Sequence, residues 1–269
     1  MKPVYADIAA ALTSISEAVG SLSDADILEG ETAVLEPLFR QLDTLAAQEV
    51  ETEIVEQLLH SPKLVPVLPE ISRLRNLYNL RLEIEQAQAL LAAPDPWAII
   101  QGFTFYPNYL QLAAMEQQGA DLQSGDKIIF LGSGPFPLSL ILLCSRYDLS
   151  GIGIEREASS AQLSRQLLHH LGMEERISIV AGDHFSLPLS GKSKLLMVAA
   201  MARPKQEIFN HLAKILPADS LVSFRLYEKG LRRILDNEED FLLPDAFSSH
   251  CRISPQPPVN NTVVMVRKL

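Results

Sequence analysis

The chain has 269 residues, 47% apolar and 21% charged, which supplies a sizeable core and rules out disorder for the bulk of the chain. Lysine and arginine number 23 against 33 acids, a net charge of −10, and that balance speaks against a nucleic-acid partner, because phosphate binding needs a basic surface. Two cysteines are too few for a disulfide framework or a metal cluster, and no run reaches the roughly 20 apolar residues of a membrane span, so the expectation is a cytoplasmic protein without a membrane segment.

Residues 1–120 read as helices alone. Ile8, Leu12, Ile15 and Val19 recur at helical spacing, as do Leu35, Leu38, Leu42 and Leu45, then Ile54, Val55, Leu58 and Leu59. Pro62, Pro66 and Pro69 interrupt the pattern, and a long helix follows over 71–91, ending where Pro94 and Pro96 forbid continuation. Short helices are expected over 97–102 and 108–118. From residue 121 the texture changes. Strands over 127–132, 151–155, 177–181, 194–199 and 221–225 alternate with helices over 137–145, 159–171 and 206–216, and a last strand covers 262–267. This alternation predicts an α/β domain over 121–269 with a mostly parallel sheet, after a helical domain over 1–120. Such sheets bind ligands at the carboxyl ends of their strands.

The loop after the first strand is Gly132-Ser133-Gly134-Pro135-Phe136-Pro137. Its glycines let a ligand approach the backbone near a helix N-terminus. The full G-x-G-x-x-G is absent, and two prolines remove amide donors that a pyrophosphate would use, so a nucleoside or a carboxylate suits the loop better. Glu155 ends the second strand, where an acid can accept ribose hydroxyls. Gly182 and Asp183 follow the third, where an acid can meet an adenine amino group. The alternative is a set of turn glycines and solvent-facing acids. The ordered series resembles the S-adenosylmethionine site of the class I methyltransferase fold.

The flanked loop, Phe130 to Ser139, further resembles the nicotianamine synthase family, with Phe136 where that family usually has leucine. Phe105-Tyr106-Pro107-Asn108-Tyr109-Leu110, Met197-Val198-Ala199-Ala200 with Pro204-Lys205, and Val259-Asn260-Asn261-Thr262 are similar to family segments as well. The resemblance runs from about Leu80 to the C-terminus. It implies a helical bundle capping a Rossmann-like domain that binds S-adenosylmethionine through Tyr106, the 132–136 loop, Glu155, Gly182, Asp183 and Ala199. It also implies transfer of the 3-amino-3-carboxypropyl group, not the methyl, to an amino acid amine with release of 5′-methylthioadenosine. The chain's length favours histidine and a single transfer in metallophore biosynthesis. Condensation of several groups, an ordinary methyltransferase and a catalytically inactive nucleoside sensor stay open, as does a homodimer.

The acceptor ammonium must lose a proton before it attacks, and a carboxylate in a partly dry site can take it. Glu83 borders the stripe of Leu80, Ala87 and Leu90, whereas Glu85 stands four residues from Arg81 in a spacing that suits a solvated ion pair. Helix geometry and the family pattern both prefer Glu83 as base, against the alternative of a solvated helix acid. Tyr109 matches the family's catalytic tyrosine. Arg225, at the end of the fifth strand, reads either as a clamp for a substrate carboxylate or as a surface arginine. No metal-ligand spacing is present, so a metal is not expected.

Overall fold

A computed structural model describes residues 5–188, 193–228, 230–235, 241–257, 259 and 261–269. Two compact units divide the chain. The first takes the chain up to Leu82 and a return segment from Tyr227; the second takes Glu83–Leu226 and the C-terminal strands. The division falls inside a helix, not at the 120/121 boundary expected from texture.

The first unit is built from α1 (Tyr5–Val19), α2 (Asp24–Glu29), α3 (Thr32–Ala46), α4 (Thr52–Leu59), the start of α5 (Leu68–Ala92) and a short 3-10 helix, Gly230–Leu235. The spacing of Ile8, Leu12, Ile15 and Val19 puts all four on one face of α1, and all four are buried. They share a core with Leu35, Leu42, Leu58, Ile71 and Leu74, which Leu231, Ile234 and Leu235 of the return segment complete. Ser23 and Asp26 cap α2 reciprocally, satisfying two backbone donors at its start. Arg81 is buried, not solvated as the spacing to Glu85 suggested: it donates to the carbonyls of Ile27 and Gly30 and to the Thr32 hydroxyl.

The second unit holds the rest of α5, then α6 (Pro96–Gly102), α7 (Tyr106–Ala120) and the alternating elements. These are β1 (Lys127–Leu131), α8 (Leu138–Tyr147), β2 (Ser150–Glu155), α9 (Ala158–His170), β3 (Ile177–Ala181), β4 (Leu195–Val198), α10 (Lys205–Ile215), β5 (Leu221–Leu226), β6 (Phe247–Ile253) and β7 (Thr262–Lys268). The sheet order is β3-β2-β1-β4-β5-β7-β6, parallel through β5 and antiparallel at β7 and β6. This is the Rossmann-like, class I arrangement expected. Side chains alternate between two cores: Ile128, Phe130, Leu195, Met197, Val263 and Met265 face one side, and Ile129, Leu131, Leu196, Val198, Val264 and Val266 the other. Strand order reverses between β1 and β4, so their carboxyl ends diverge and open the crevice where such sheets receive ligands. β6 is absent from the sequence expectation. It is an edge strand, Phe-Ser-Ser-His-Cys-Arg-Ile, largely open to solvent and carrying a register shift between Ser249 and Cys251. Among the described residues no helix is long and apolar enough to cross a membrane.

Candidate active site

All the residues brought together below belong to the second unit. β1 ends in the glycine loop, and two glycines there answer different needs. Gly132 has φ +80° and donates its N–H to the Ile154 carbonyl at 2.8 Å. A Cβ at 132 would stand 3.1 Å from Cβ of Ala199 and 3.2 Å from Cβ of Ala202, so the loop beyond β4 packs directly against it. Gly134 has φ +72°, and a Cβ there would lie 2.8 Å from Oε2 of Glu83. Both backbone angles strain any residue with a Cβ. Pro135 and Phe136 are buried, and the Phe136 ring meets Phe103 edge-on at 5.5 Å. The Ser133 hydroxyl is buried without a hydrogen-bond partner.

Glu155 is 9% exposed and is fixed by two backbone donors: Gly134 N–H reaches Oε2 and Glu157 N–H reaches Oε1, each at 2.9 Å. A carboxylate has about four acceptor sites, so each oxygen keeps capacity for another donor. Gly182 donates its N–H to the Glu155 carbonyl, which ties the end of β3 to the end of β2. Oδ1 of Asp183 accepts from Phe185 N–H and so caps the 3-10 helix His184–Ser186. Phe185 is 61% exposed beside it, with the His184 and His211 rings 4.1 and 4.6 Å away, an aromatic cluster that the sequence reading did not single out.

Glu83, on α5, lies over Gly134. The Tyr109 hydroxyl of α7 donates to its Oε1 at 3.2 Å. Although part of Glu83 reaches the surface, the protein closed around it removes enough water to push its carboxyl up to about 8. Desolvation is the main cause; the Tyr109 hydrogen bond opposes it, and the negative charge of Glu155 adds to it. Two carboxylates thus meet the same glycine, one at its N–H and one against its Cα. Tyr106 begins α7, and its ring packs against the core beside Tyr109.

Arg225, read either as a clamp for a substrate carboxylate or as a surface arginine, lies in the core. It is 5% exposed, and its guanidinium forks onto Glu116 of α7: Nε to Oε1 at 3.1 Å and Nη2 to Oε2 at 2.9 Å. Nη2 also reaches the Ser139 hydroxyl of α8 at 3.0 Å. An arginine held this way is not at the surface, and its Nε and Nη2 are engaged by Glu116 and Ser139. Glu116 was not foreseen, although its place on the buried face of α7 with Leu112, Ala113 and Ala120 is the signal of an acid that needs a partner. Asn261, also buried, has a side-chain amide nitrogen without a partner; its neighbour Asn260 lies outside the described residues.

Residues 5–269 match the family model described as nicotianamine synthase protein. A curated relative from Yersinia pestis, L-histidine 2-aminobutanoyltransferase, is 23% identical over 232 residues, covering 86% of this chain and 84% of the relative. A crystal structure of a Glu-to-Gln mutant of MtNAS in complex with S-adenosylmethionine is similar with a TM-score of 0.85 and 27% identity, over 97% of each chain. Another, of MtNAS in complex with MTA and tNA, has a TM-score of 0.80 and 26% identity over 98% of this chain and 97% of that one.

Proposed function

The chain belongs to the nicotianamine synthase family, and on that premise we propose that it transfers the 3-amino-3-carboxypropyl group of S-adenosylmethionine to the α-amine of an amino acid, histidine first, releasing 5′-methylthioadenosine. The observation that carries this reading is the carboxyl of Glu83, held between the Tyr109 hydroxyl and Gly134 with its pKa pushed up to about 8, so that its deprotonated form is a far stronger base than an ordinary carboxylate. A group so placed and so poised is suited to take a proton from an ammonium near neutral pH. The relative's name supports histidine as acceptor, and the complexed MtNAS structure supports S-adenosylmethionine as donor.

The residues fit such a donor. The loop leaves no side chain at 132 and 134, the Ser133 hydroxyl lacks a partner, and both oxygens of Glu155 have lone pairs to offer. S-adenosylmethionine supplies, when bound, a carbon made electrophilic by the positive sulfur beside it. Glu155 is assigned the ribose hydroxyls, and Asp183 the adenine amino group. Phe185, more than half exposed, offers ring surface to the base. Tyr106, Pro135, Phe136 and Ala199 line the pocket. Glu83 attracts the acceptor ammonium, then takes its proton and leaves the nitrogen lone pair free to form the new N–C bond as the S–C bond breaks. Tyr109 orients Glu83 and, by donating to it, keeps its basicity in range.

Product analysis tests the reading. Incubation with labelled S-adenosylmethionine and L-histidine should yield methylthioadenosine and an aminobutyrate–histidine conjugate by mass spectrometry. S-adenosylhomocysteine with a methylated acceptor would sink it. A product carrying several aminobutyrate units would move the chain to the polymerising branch of the family, and release of neither nucleoside would leave a binding protein.

A further inference from the structure

The Arg225–Glu116 pair is costly to bury, and stability alone is a poor reason to keep it. Replacing a buried ion pair by apolar groups of similar volume is often neutral or stabilising, because desolvation offsets much of the attraction. Here an apolar replacement would have apolar neighbours: Phe130, Leu112, Ala113 and Met265 are all buried in the same core. What apolar groups cannot supply is direction. A guanidinium fork accepts a carboxylate in one plane and at one spacing.

Three elements meet at that fork. Glu116 comes from α7, Ser139 from the first turn of α8, and Arg225 from β5, with the guanidinium carbon 5.6 Å from the centre of the Phe130 ring of β1. On α7, Tyr109 and Glu116 are seven residues apart, two turns and about 10 Å along one face. Fixing Glu116 therefore fixes both the rotation and the axial position of the helix that presents the Tyr109 hydroxyl to Glu83. On α8, Ser139 follows directly after the loop that holds Gly134, the glycine against which Glu83 rests.

We propose that Arg225, Glu116 and Ser139 form a positioning device for the reaction, holding α7 and the start of α8 in the one arrangement in which Tyr109 reaches Glu83. This rests on the proposed roles of Glu83 and Tyr109. The three residues act through Tyr109 and touch no substrate themselves.

The test replaces the device by its apolar counterpart, Glu116→Leu with Arg225→Met, beside the milder Ser139→Ala and the reference Tyr109→Phe. The double variant should remain folded by circular dichroism and lose about 10- to 100-fold in turnover. Its pH profile should change as well. The Tyr109 hydrogen bond lowers the Glu83 pKa, so its loss should move the acid limb of the turnover profile upward, on the order of one pH unit. Ser139→Ala should move the limb the same way by less. In a Tyr109→Phe background the double replacement should add nothing further, because both act on one hydrogen bond. A double variant with normal turnover and an unmoved limb overturns the proposal. So does an additive effect in the Tyr109→Phe background, and so does a double variant that no longer folds, since the pair would then serve stability. A Tyr109→Phe enzyme with unchanged turnover and limb points instead to failure of the catalytic roles on which the proposal rests.

Discussion

Glu83 and Glu116 are carboxylates of the same unit in opposite surroundings. Glu116 is 1% exposed and receives a full positive charge through two hydrogen bonds from Arg225. Glu83 receives one neutral hydroxyl and feels the charge of a second acid, Glu155. The fold has a directional cation to offer and places it on the carboxylate away from the glycine loop. The contrast separates two uses of a buried acid. A compensated one is suited to holding helices in register, and an uncompensated one has its basicity raised towards that of an amine, as the proposed proton transfer needs, against the preference of stability.

The contrast breaks most visibly at Glu83. Glu83→Gln keeps the shape and removes the proposed base, so turnover should fall by about 10²–10⁴ while calorimetry still finds S-adenosylmethionine bound. Glu85→Gln should change little, since Glu85 is exposed. The opposite response is expected at the other acid. Glu116→Gln leaves the Arg225 guanidinium buried without its counter-charge, and thermal or denaturant unfolding should report a loss of about 3–5 kcal/mol. Equal stability would mean that water or another group compensates the arginine. A smaller effect should follow at Glu155, the acid proposed to hold the ribose: Glu155→Ala is expected to weaken S-adenosylmethionine binding by about 1–3 kcal/mol, measured by calorimetry.

The last prediction has the least intuitive sign. Burial raises the Glu83 pKa from an ordinary 4.5 to about 8. Below pH 4.5 folded and unfolded chains both hold this proton, and the group is neutral to stability. Between these values the unfolded chain releases the proton while the folded one retains it, so stability falls as pH rises, up to the folded pKa. Glu83→Gln abolishes that fall. The variant should therefore be more stable than the parent at pH 8, by no more than about 5 kcal/mol and by less where solvent reaches Glu83, and equal to it at pH 4, in a series of melts across pH. A parent that melts no lower than the variant at pH 8 would show that Glu83 is well solvated.

The parts of the site legible in the sequence are those that a short stretch of chain defines alone. The glycine loop, Glu155 and Asp183 stand at strand ends that the hydrophobic runs locate. Glu83 and Tyr109 stand on helix faces that periodicity and the family pattern mark. Arg225 was open to two readings because an arginine at a strand end looks the same whether it faces a ligand, solvent or a buried acid. Its partner Glu116 is 109 residues away in sequence. Arg81 illustrates the same limit: four-residue spacing suggested a solvated guanidinium, but it is buried and donates to the carbonyls of Ile27 and Gly30. The fold was legible through β5 because buried parallel strands are continuous apolar runs, whereas β6 is a polar edge that resembles a loop. Texture tracks secondary structure, while compact units follow contacts, and those leave α6 and α7 with the sheet.

Gly134 and Glu83 also have a consequence for inheritance. The room that a methyl group at 134 would need is taken by an oxygen of Glu83, 2.8 Å away. Neither position can drift independently. An alanine arriving first at 134 meets both a strained backbone and an occupied space; a shorter aspartate arriving first at 83 withdraws the carboxylate from the loop. The two sites therefore form an epistatic pair, visited in sequence space only together, and Gly134→Ala should be less damaging in a Glu83→Asp chain than in the parent.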